Sequence, residues 1–174
     1  MLFNVDEAEK LCEVVNTPTR PVVYLGVDPG KSNGVCGFDA QFKLMGMWTV
    51  MENDILTFLR QFKNIKTCVI ENYRLYTNKA FQQAHSDMLT SRVIGRFEAW
   101  AEINNLELIK QGANIKPIGY KFIGKKALPK SNKLNHAMDA YVHFVYWAVR
   151  KGKINAADLL NNKTPETISN ADIR

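Results

Sequence analysis

The sequence predicts one α/β domain built on a five-stranded mixed sheet with helices on both faces. Three β-rich segments, 22–27, 35–38 and 42–50, follow one another closely enough to pair as an antiparallel meander. Two further β-rich segments, 67–70 and 106–109, are each preceded by a helical pattern, which favours strands that return parallel to a neighbour. The first segment, VVYLGV, is apolar throughout, which indicates a strand buried on both faces.

Local signals predict the connections between these strands. The Asn33-Gly34 pair predicts the first hairpin turn, because both residues tolerate the positive φ angles of a two-residue loop. Asn53 or Asp54 is expected to cap a helix that runs to about residue 62, since apolar residues recur on one face of that segment.

Two longer helices and an irregular segment complete the predicted domain. The pattern predicts a long helix from about residue 80 to residue 104 and a last helix over 135–150. The lysine-rich segment between residues 110 and 133 is interrupted by Gly and Pro, so we expect loops there and at most one short helix.

Length and composition fit this single domain. The 174 residues are 46% hydrophobic, and they divide into a helical N-terminal extension over 1–20, a main domain over 21–151 and a polar C-terminal tail over 152–174. No run of 18 apolar residues occurs, and the N-terminus does not resemble a secretory signal, so we expect a cytoplasmic protein without a membrane partner. The three cysteines form no Cys-x-x-Cys pair, which argues against a zinc-thiolate site.

The positive charge is concentrated in one segment. The chain has 23 basic and 17 acidic residues, and seven of the lysines lie between Lys110 and Lys133, where there is no acid. Without those seven lysines the remaining 16 basic and 17 acidic residues nearly balance. A clustered surplus of positive charge favours a polyanionic partner, most often nucleic acid. The alternative is that the lysines form a solvent-exposed face that increases solubility.

Three acidic residues lie in apolar surroundings. Asp28 directly follows the first strand, Glu71 directly follows the TCVI strand, and Asp139 lies in a last helix that is otherwise almost free of charge. A carboxylate in such a position costs free energy unless a cation or hydrogen-bond donors offset its desolvation. If the two strands are parallel neighbours, Asp28 and Glu71 lie about 5 Å apart at the same edge of the sheet.

Helical spacing places His136, Asp139 and His143 on one face of the last helix, where they would join the two strand-end acids. Oxygen-rich ligands favour Mg²⁺ or Mn²⁺ over zinc, and clustered carboxylates that hold two such ions are the usual machinery of phosphodiester cleavage. The alternatives are that Asp28 caps a turn, that Glu71 pairs with Arg74, and that His136 and Asp139 form a polar pair.

Three motifs in order resemble those of the RuvC-type Holliday junction resolvases. VYLGVDPGKSNGVCGFD, residues 23–39, is similar to their first strand and hairpin, which carry a G-[IV]-D-P-G motif. IENY, residues 70–73, resembles their second acidic motif, and HAMDA, residues 136–140, resembles their terminal-helix motif. The similarity covers roughly residues 21–150.

The resemblance implies an RNase H-like fold and metal-dependent endonuclease activity on branched DNA, with two Mg²⁺ or Mn²⁺ ions per site. The implied catalytic and metal-binding residues are Asp28, Glu71, His136 and Asp139. His136 stands where an acid is common in the family, and an imidazole brings no negative charge, which favours manganese. His143 is the alternative histidine ligand.

Basic and aromatic residues around these motifs are candidates for contacts to DNA, because lysines and arginines bind phosphates and aromatic rings stack on unpaired bases. The candidates are Lys31, Tyr73, Arg74, Tyr76, Lys79, Lys116, Lys121, Lys125 and Lys126. The alternative for the tyrosines is that they fold back on the core.

The favoured hypothesis is a resolvase, encoded by a bacterium or a bacteriophage, that nicks two strands of a four-way junction. Symmetric nicks on a two-fold junction require two active sites related by the same symmetry, so we expect a homodimer. One alternative is a nuclease of the same fold that acts on flaps, forks or RNA/DNA hybrids. The other is a DNA-binding module without catalysis.

Overall fold

A computed structural model describes residues 21–72, 88–124 and 135–161. Its five strands are β1 Tyr24–Asp28, β2 Ser32–Phe38, β3 Leu44–Met51, β4 Thr67–Asn72 and β5 Glu107–Gly112. They form one sheet in the order β3-β2-β1-β4-β5. The β3-β2-β1 meander is antiparallel, whereas β4 is parallel to β1 and β5 is parallel to β4. This is the mixed sheet of the RNase H-like fold, so the predicted fold class is confirmed.

The described residues contain five α-helices. They are α1 Ile55–Leu59, α2 Leu89–Ile103, α3 Lys116–Phe122, α4 Asn135–Arg150 and α5 Ala156–Asn161. Helix α4 has the predicted bounds, and α2 ends close to its predicted end. Helix α5 lies in the segment predicted as a polar tail, and its Leu159 packs against the core. No helix among the described residues is both long and apolar enough to cross a membrane.

The predicted position of the first hairpin turn is wrong. Asn33 and Gly34 lie inside β2, and the turn is formed by residues 29–31. The buried Asn33 amide stabilises this turn, since its Oδ1 accepts the Gly30 N–H at 3.1 Å and its Nδ2 donates to the Val50 carbonyl at 2.9 Å. The pair therefore serves packing and hydrogen bonding inside the sheet rather than a positive φ angle.

Asp54 occupies the N-cap position of α1, as predicted, but its side chain makes no capping hydrogen bond. Residues 52–54 form a 3₁₀ turn, and neither Asn53 nor Asp54 caps the helix with its side chain. The buried Glu52 carboxylate instead binds Arg92 at 2.8 Å and Arg96 at 3.3 Å, both on α2. The Glu52 side chain thus joins the end of β3 to the first half of α2.

The core has two layers, one on each face of the sheet. On one face, α4 packs Phe144 against Phe38 of β2, with ring centroids 3.7 Å apart. On the other face, Phe97 of α2 packs with Leu25 of β1 and Ile70 of β4. On the two long helices, seven apolar residues expected to be core are buried, whereas Trp100, expected with them, is only partly buried; the seven are Ile94, Phe97, Ala101, Tyr141, Phe144, Val145 and Ala148.

Two strand glycines let α4 lie directly on the sheet. A Cβ atom at Gly34 would lie 1.9 Å from the His136 carbonyl oxygen, and one at Gly26 would lie 2.5 Å from the Ala140 carbonyl oxygen. Both distances are far shorter than van der Waals contact, so only glycine fits. The part of α4 that bears the two histidines and Asp139 is therefore held close to β1 and β2.

Replacement of Gly34 by alanine should lower the free energy of unfolding by about 2 kcal/mol or more, because the helix must move away from the sheet. Urea unfolding followed by circular dichroism measures this effect. Gly95→Ala is the matched control, since a Cβ at Gly95 meets nothing within 4 Å. In the middle of α2 that change should stabilise the protein by about 0.5–1 kcal/mol. Equal effects of the two substitutions would contradict the close approach of α4.

Candidate metal centre

The structure brings the three sequence-predicted acids together at one edge of the sheet. Asp28 ends β1, and Glu71 lies near the end of β4, its parallel neighbour, as the sequence predicts. Helix α4 crosses this edge and brings His136, Asp139 and His143 to it. All three carboxylates are largely buried, with side-chain exposures of 7% for Asp28, 19% for Glu71 and 16% for Asp139.

The ammonium group of Lys116 lies at the point where the three carboxylates converge. Its Nζ is 2.9 Å from Asp28 Oδ1, 2.6 Å from Glu71 Oε2 and 2.7 Å from Asp139 Oδ2. Lys116 is the first residue of α3, which follows the 3₁₀ turn Ala113–Ile115 after β5. Three acids from β1, β4 and α4 thus share one cation from a fourth element.

Two of the carboxylates have a second partner on their other oxygen. Asp28 Oδ2 is 2.7 Å from His136 Nδ1, and Asp139 Oδ1 accepts a hydrogen bond from the Tyr120 hydroxyl at 2.7 Å. Tyr120 lies one turn after Lys116 on α3, so the same short helix contacts both oxygens of Asp139. These contacts fix the direction in which each carboxylate points.

The third carboxylate is held by a fully buried histidine. His143 Nε2 is 3.0 Å from Glu71 Oε2, and the other ring nitrogen, Nδ1, is 3.0 Å from Gln111 Oε1 on β5. Because both ring nitrogens have partners, the imidazole is held in one orientation beside Glu71.

The two strand-end acids titrate as a pair. Burial raises the pKa of Asp28, and the hydrogen bond with His136 offsets this only in part. Burial also tends to raise the pKa of Glu71, but the hydrogen bonds with His143 and Asp28 outweigh it and lower the pKa to about 2. Asp28 therefore keeps a proton to higher pH than Glu71, as expected for two carboxyl groups that share one site.

The groups around the acids respond to the same negative charge. Burial tends to lower the pKa of Lys116, but the neighbouring carboxylates, Asp28 first, hold it above its ordinary value. The hydrogen bond with Asp28 raises the pKa of His136. Burial, with a smaller contribution from the hydrogen bond to Asp139, raises the pKa of Tyr120. Lys116 is therefore a cation and Tyr120 a neutral donor at neutral pH.

The donor set fits a hard divalent cation. Asp28, Glu71 and His143 each offer one ligand atom, and these atoms lie within 4.8 Å of one another. Asp139 Oδ2 contacts the same Lys116 ammonium, at 2.7 Å. Carboxylate oxygens with one imidazole nitrogen suit Mg²⁺ or Mn²⁺. His136 contacts Oδ2 of Asp28, the oxygen that Lys116 does not touch. His143 is therefore the better placed of the two histidines to join Asp28 and Glu71 around an ion.

Only part of the predicted DNA-contacting set falls within the described residues. Lys31 is exposed in the turn after β1, and Lys121 is exposed on α3 beside Tyr120. Lys116 lies inside the acid cluster rather than on the surface around it. The remaining candidates lie outside the described residues: Tyr73, Arg74, Tyr76, Lys79, Lys125 and Lys126.

Sequence reasoning missed two contributors to the site, Tyr120 and Gln111. Lys116 and Tyr120 are four residues apart, which places them on one face of a helix. Because Lys116 was already a candidate, this spacing could have identified Tyr120 as its neighbour. Gln111 had no such signal, because only the parallel register of β4 and β5 places it opposite Glu71.

Comparison with known proteins finds similarity among solved structures alone. No family model and no curated protein matches the chain. The structure of Thermus thermophilus RuvC in complex with a Holliday junction substrate is similar to this chain at 15% identity and a TM-score of 0.49, and the match covers 76% of this chain and 97% of that chain. A second Thermus thermophilus RuvC structure is similar at 15% identity and a TM-score of 0.46, and the match covers 75% of this chain and 96% of that chain.

Tyr120→Phe should lower the free energy of unfolding by about 1–2 kcal/mol, because the ring still fills its place while Asp139 loses a charge-assisted hydrogen bond. Urea unfolding in EDTA measures the change. Tyr146→Phe is the control, since Tyr146 stacks on Phe122 of the same helix and lies away from the acids. If Tyr120→Phe lowers the free energy of unfolding by no more than Tyr146→Phe does, the hydrogen bond to Asp139 contributes nothing to stability.

Proposed function

We propose that the chain is a metal-dependent DNA endonuclease that resolves four-way junctions by paired nicks. The observation that carries the proposal is the convergence of Asp28, Glu71 and Asp139 on one cation, with all three oxygen-to-Nζ distances between 2.6 and 2.9 Å. Clustered, partly buried carboxylates repel one another and also repel a DNA phosphate. They therefore argue against a surface that binds DNA without metal ions. They suit a protein whose substrate reaches them through bound metal ions.

Asp28, Glu71 and Asp139 would hold Mg²⁺ or Mn²⁺, with His136 or His143 as the nitrogen ligand and with two ions per site. Bound ions of this kind activate a water molecule and neutralise the charge that develops on the leaving oxygen. The protein's part is to aim the ligands, which the contacts of Asp28 with His136 and of Glu71 with His143 achieve before any ion arrives.

The basic residues around the cluster would hold the DNA backbone. Lys31 and Lys121 are exposed on elements that adjoin the acids, and the segment between residues 110 and 133 has seven lysines and no acid. Such lysines attract phosphates and position a duplex without reading its sequence. The preference for branched DNA and the homodimer that paired nicks require come from the motif resemblance and from the symmetry of the junction.

Asp28→Asn should abolish nicking of a four-way junction, with a loss of about 10³-fold or more, because a central metal ligand loses its charge. The assay follows labelled junction arms on denaturing gels in the presence of Mg²⁺ or Mn²⁺. Asp54→Asn is the matched control, since Asp54 is an exposed acid outside the cluster. That variant should cut like the wild type, and an Asp28→Asn protein that still nicks would disprove the assigned site.

Removal of divalent ions should stop cleavage, and the choice of substrate should separate the remaining hypotheses. We expect no product in EDTA, restored nicking with Mg²⁺ or Mn²⁺, and preference for a four-way junction over a flap, a fork, an RNA/DNA hybrid and a linear duplex. Preferential cleavage of a flap, fork or hybrid would support a nuclease but contradict the assignment to four-way junctions. Salt-sensitive binding to DNA without cleavage in any metal would identify a binding module instead.

A further inference from the structure

We propose that Lys116 and the divalent ion occupy the centre of the acid cluster in turn, so that metal loading expels the lysine ammonium from the site. This inference rests on the proposed function, since it supposes that the acids take a metal. It adds a role for one residue of the chain, that of a built-in counter-ion that is exchanged for the metal.

Geometry requires an exchange rather than a joint occupation. The Lys116 Nζ lies within 3 Å of one oxygen from each of the three carboxylates. An ion ligated by the same oxygens would lie about 2.0–2.1 Å from them and would neutralise the charge that the ammonium now neutralises. The ion and the ammonium therefore compete for the same three carboxylate oxygens, so the lysine leaves when the ion enters.

The carboxylates do not depend on Lys116 for their orientation. Asp28 keeps its contact with His136, and Asp139 keeps its hydrogen bond from Tyr120, because both contacts use the oxygen that Lys116 does not touch. Glu71 stays beside the fully buried His143, whose Nδ1 is held by Gln111. The cluster therefore retains its shape when the shared cation changes.

The position of Lys116 also permits its departure. It is the first residue of α3, and its side chain is 22% exposed, so a path to solvent is open at the edge of the sheet. A lysine has a long flexible stem and a strongly hydrated head group, which makes rotation into water feasible. Without a metal, the same ammonium neutralises part of the negative charge and keeps the empty cluster folded.

Calorimetric titration with Mn²⁺ in the absence of DNA tests the exchange on three proteins. Lys116→Met should bind Mn²⁺ about tenfold more tightly than the wild type or better, because the ion no longer displaces an ammonium. Lys121→Met, which removes an exposed lysine five residues later on α3, should bind like the wild type. In EDTA, Lys116→Met should also unfold at a lower temperature than Lys121→Met, and Mn²⁺ should raise its melting temperature by more.

The results distinguish the exchange from the metal site itself. If the wild type binds Mn²⁺ and Lys116→Met binds no more tightly than Lys121→Met, the exchange is wrong and the metal site remains. If none of the three proteins binds Mn²⁺ or Mg²⁺, both the metal site and the exchange are wrong.

A measurement on the wild type avoids any effect of substitution on folding. The rates of acetylation of individual lysines, read by mass spectrometry, should show Lys116 protected in EDTA and labelled at least several-fold faster in saturating Mg²⁺. Lys121 should be labelled at the same rate in both conditions. Unchanged or stronger protection of Lys116, under conditions in which calorimetry shows bound metal, would overturn the exchange.

Discussion

Mutual repulsion among three carboxylates is the constraint around which this end of the molecule is organised. Asp28, Glu71 and Asp139 come from three separate elements and meet where little water can screen them. Bringing them together costs free energy that a cation must offset, and in the metal-free chain Lys116 supplies that charge. The histidines and Tyr120 then set the direction of each carboxylate, so that the negative charge is concentrated at one point.

The fold makes this arrangement possible through close packing of α4 on the strands beside the acids. Helix α4 can deliver Asp139 and His143 to the strand ends because Gly26 and Gly34 leave room for its backbone. The apolar layers on both faces hold the sheet that carries Asp28 and Glu71 in neighbouring parallel strands. Packing energy from the core thereby opposes the electrostatic cost at the edge.

The sequence was most informative where a pattern repeats over many residues. The antiparallel meander, the bounds of α4 and the meeting of Asp28, Glu71 and Asp139 follow from apolar periodicity and from acids in apolar surroundings. The sequence was misleading where one dipeptide is compatible with two different structures. Asn33-Gly34 suits a hairpin turn, yet the pair is needed inside β2, where Gly34 faces α4 and Asn33 bonds to the turn and to β3. Contacts such as those of Gln111 with His143, or of Glu52 with Arg92, join residues 32 and 40 positions apart and depend on the finished fold.

The glycine contacts under α4 have an evolutionary consequence. His136, Asp139 and His143 lie on the same helix, so a displacement of that helix moves all three together. A Cβ atom at Gly26 or Gly34 would first meet a backbone carbonyl oxygen of the helix, so no side-chain change on α4 can make room for a larger residue. In related chains that keep the helix in this place, both strand positions should therefore remain glycine, although neither glycine takes part in chemistry.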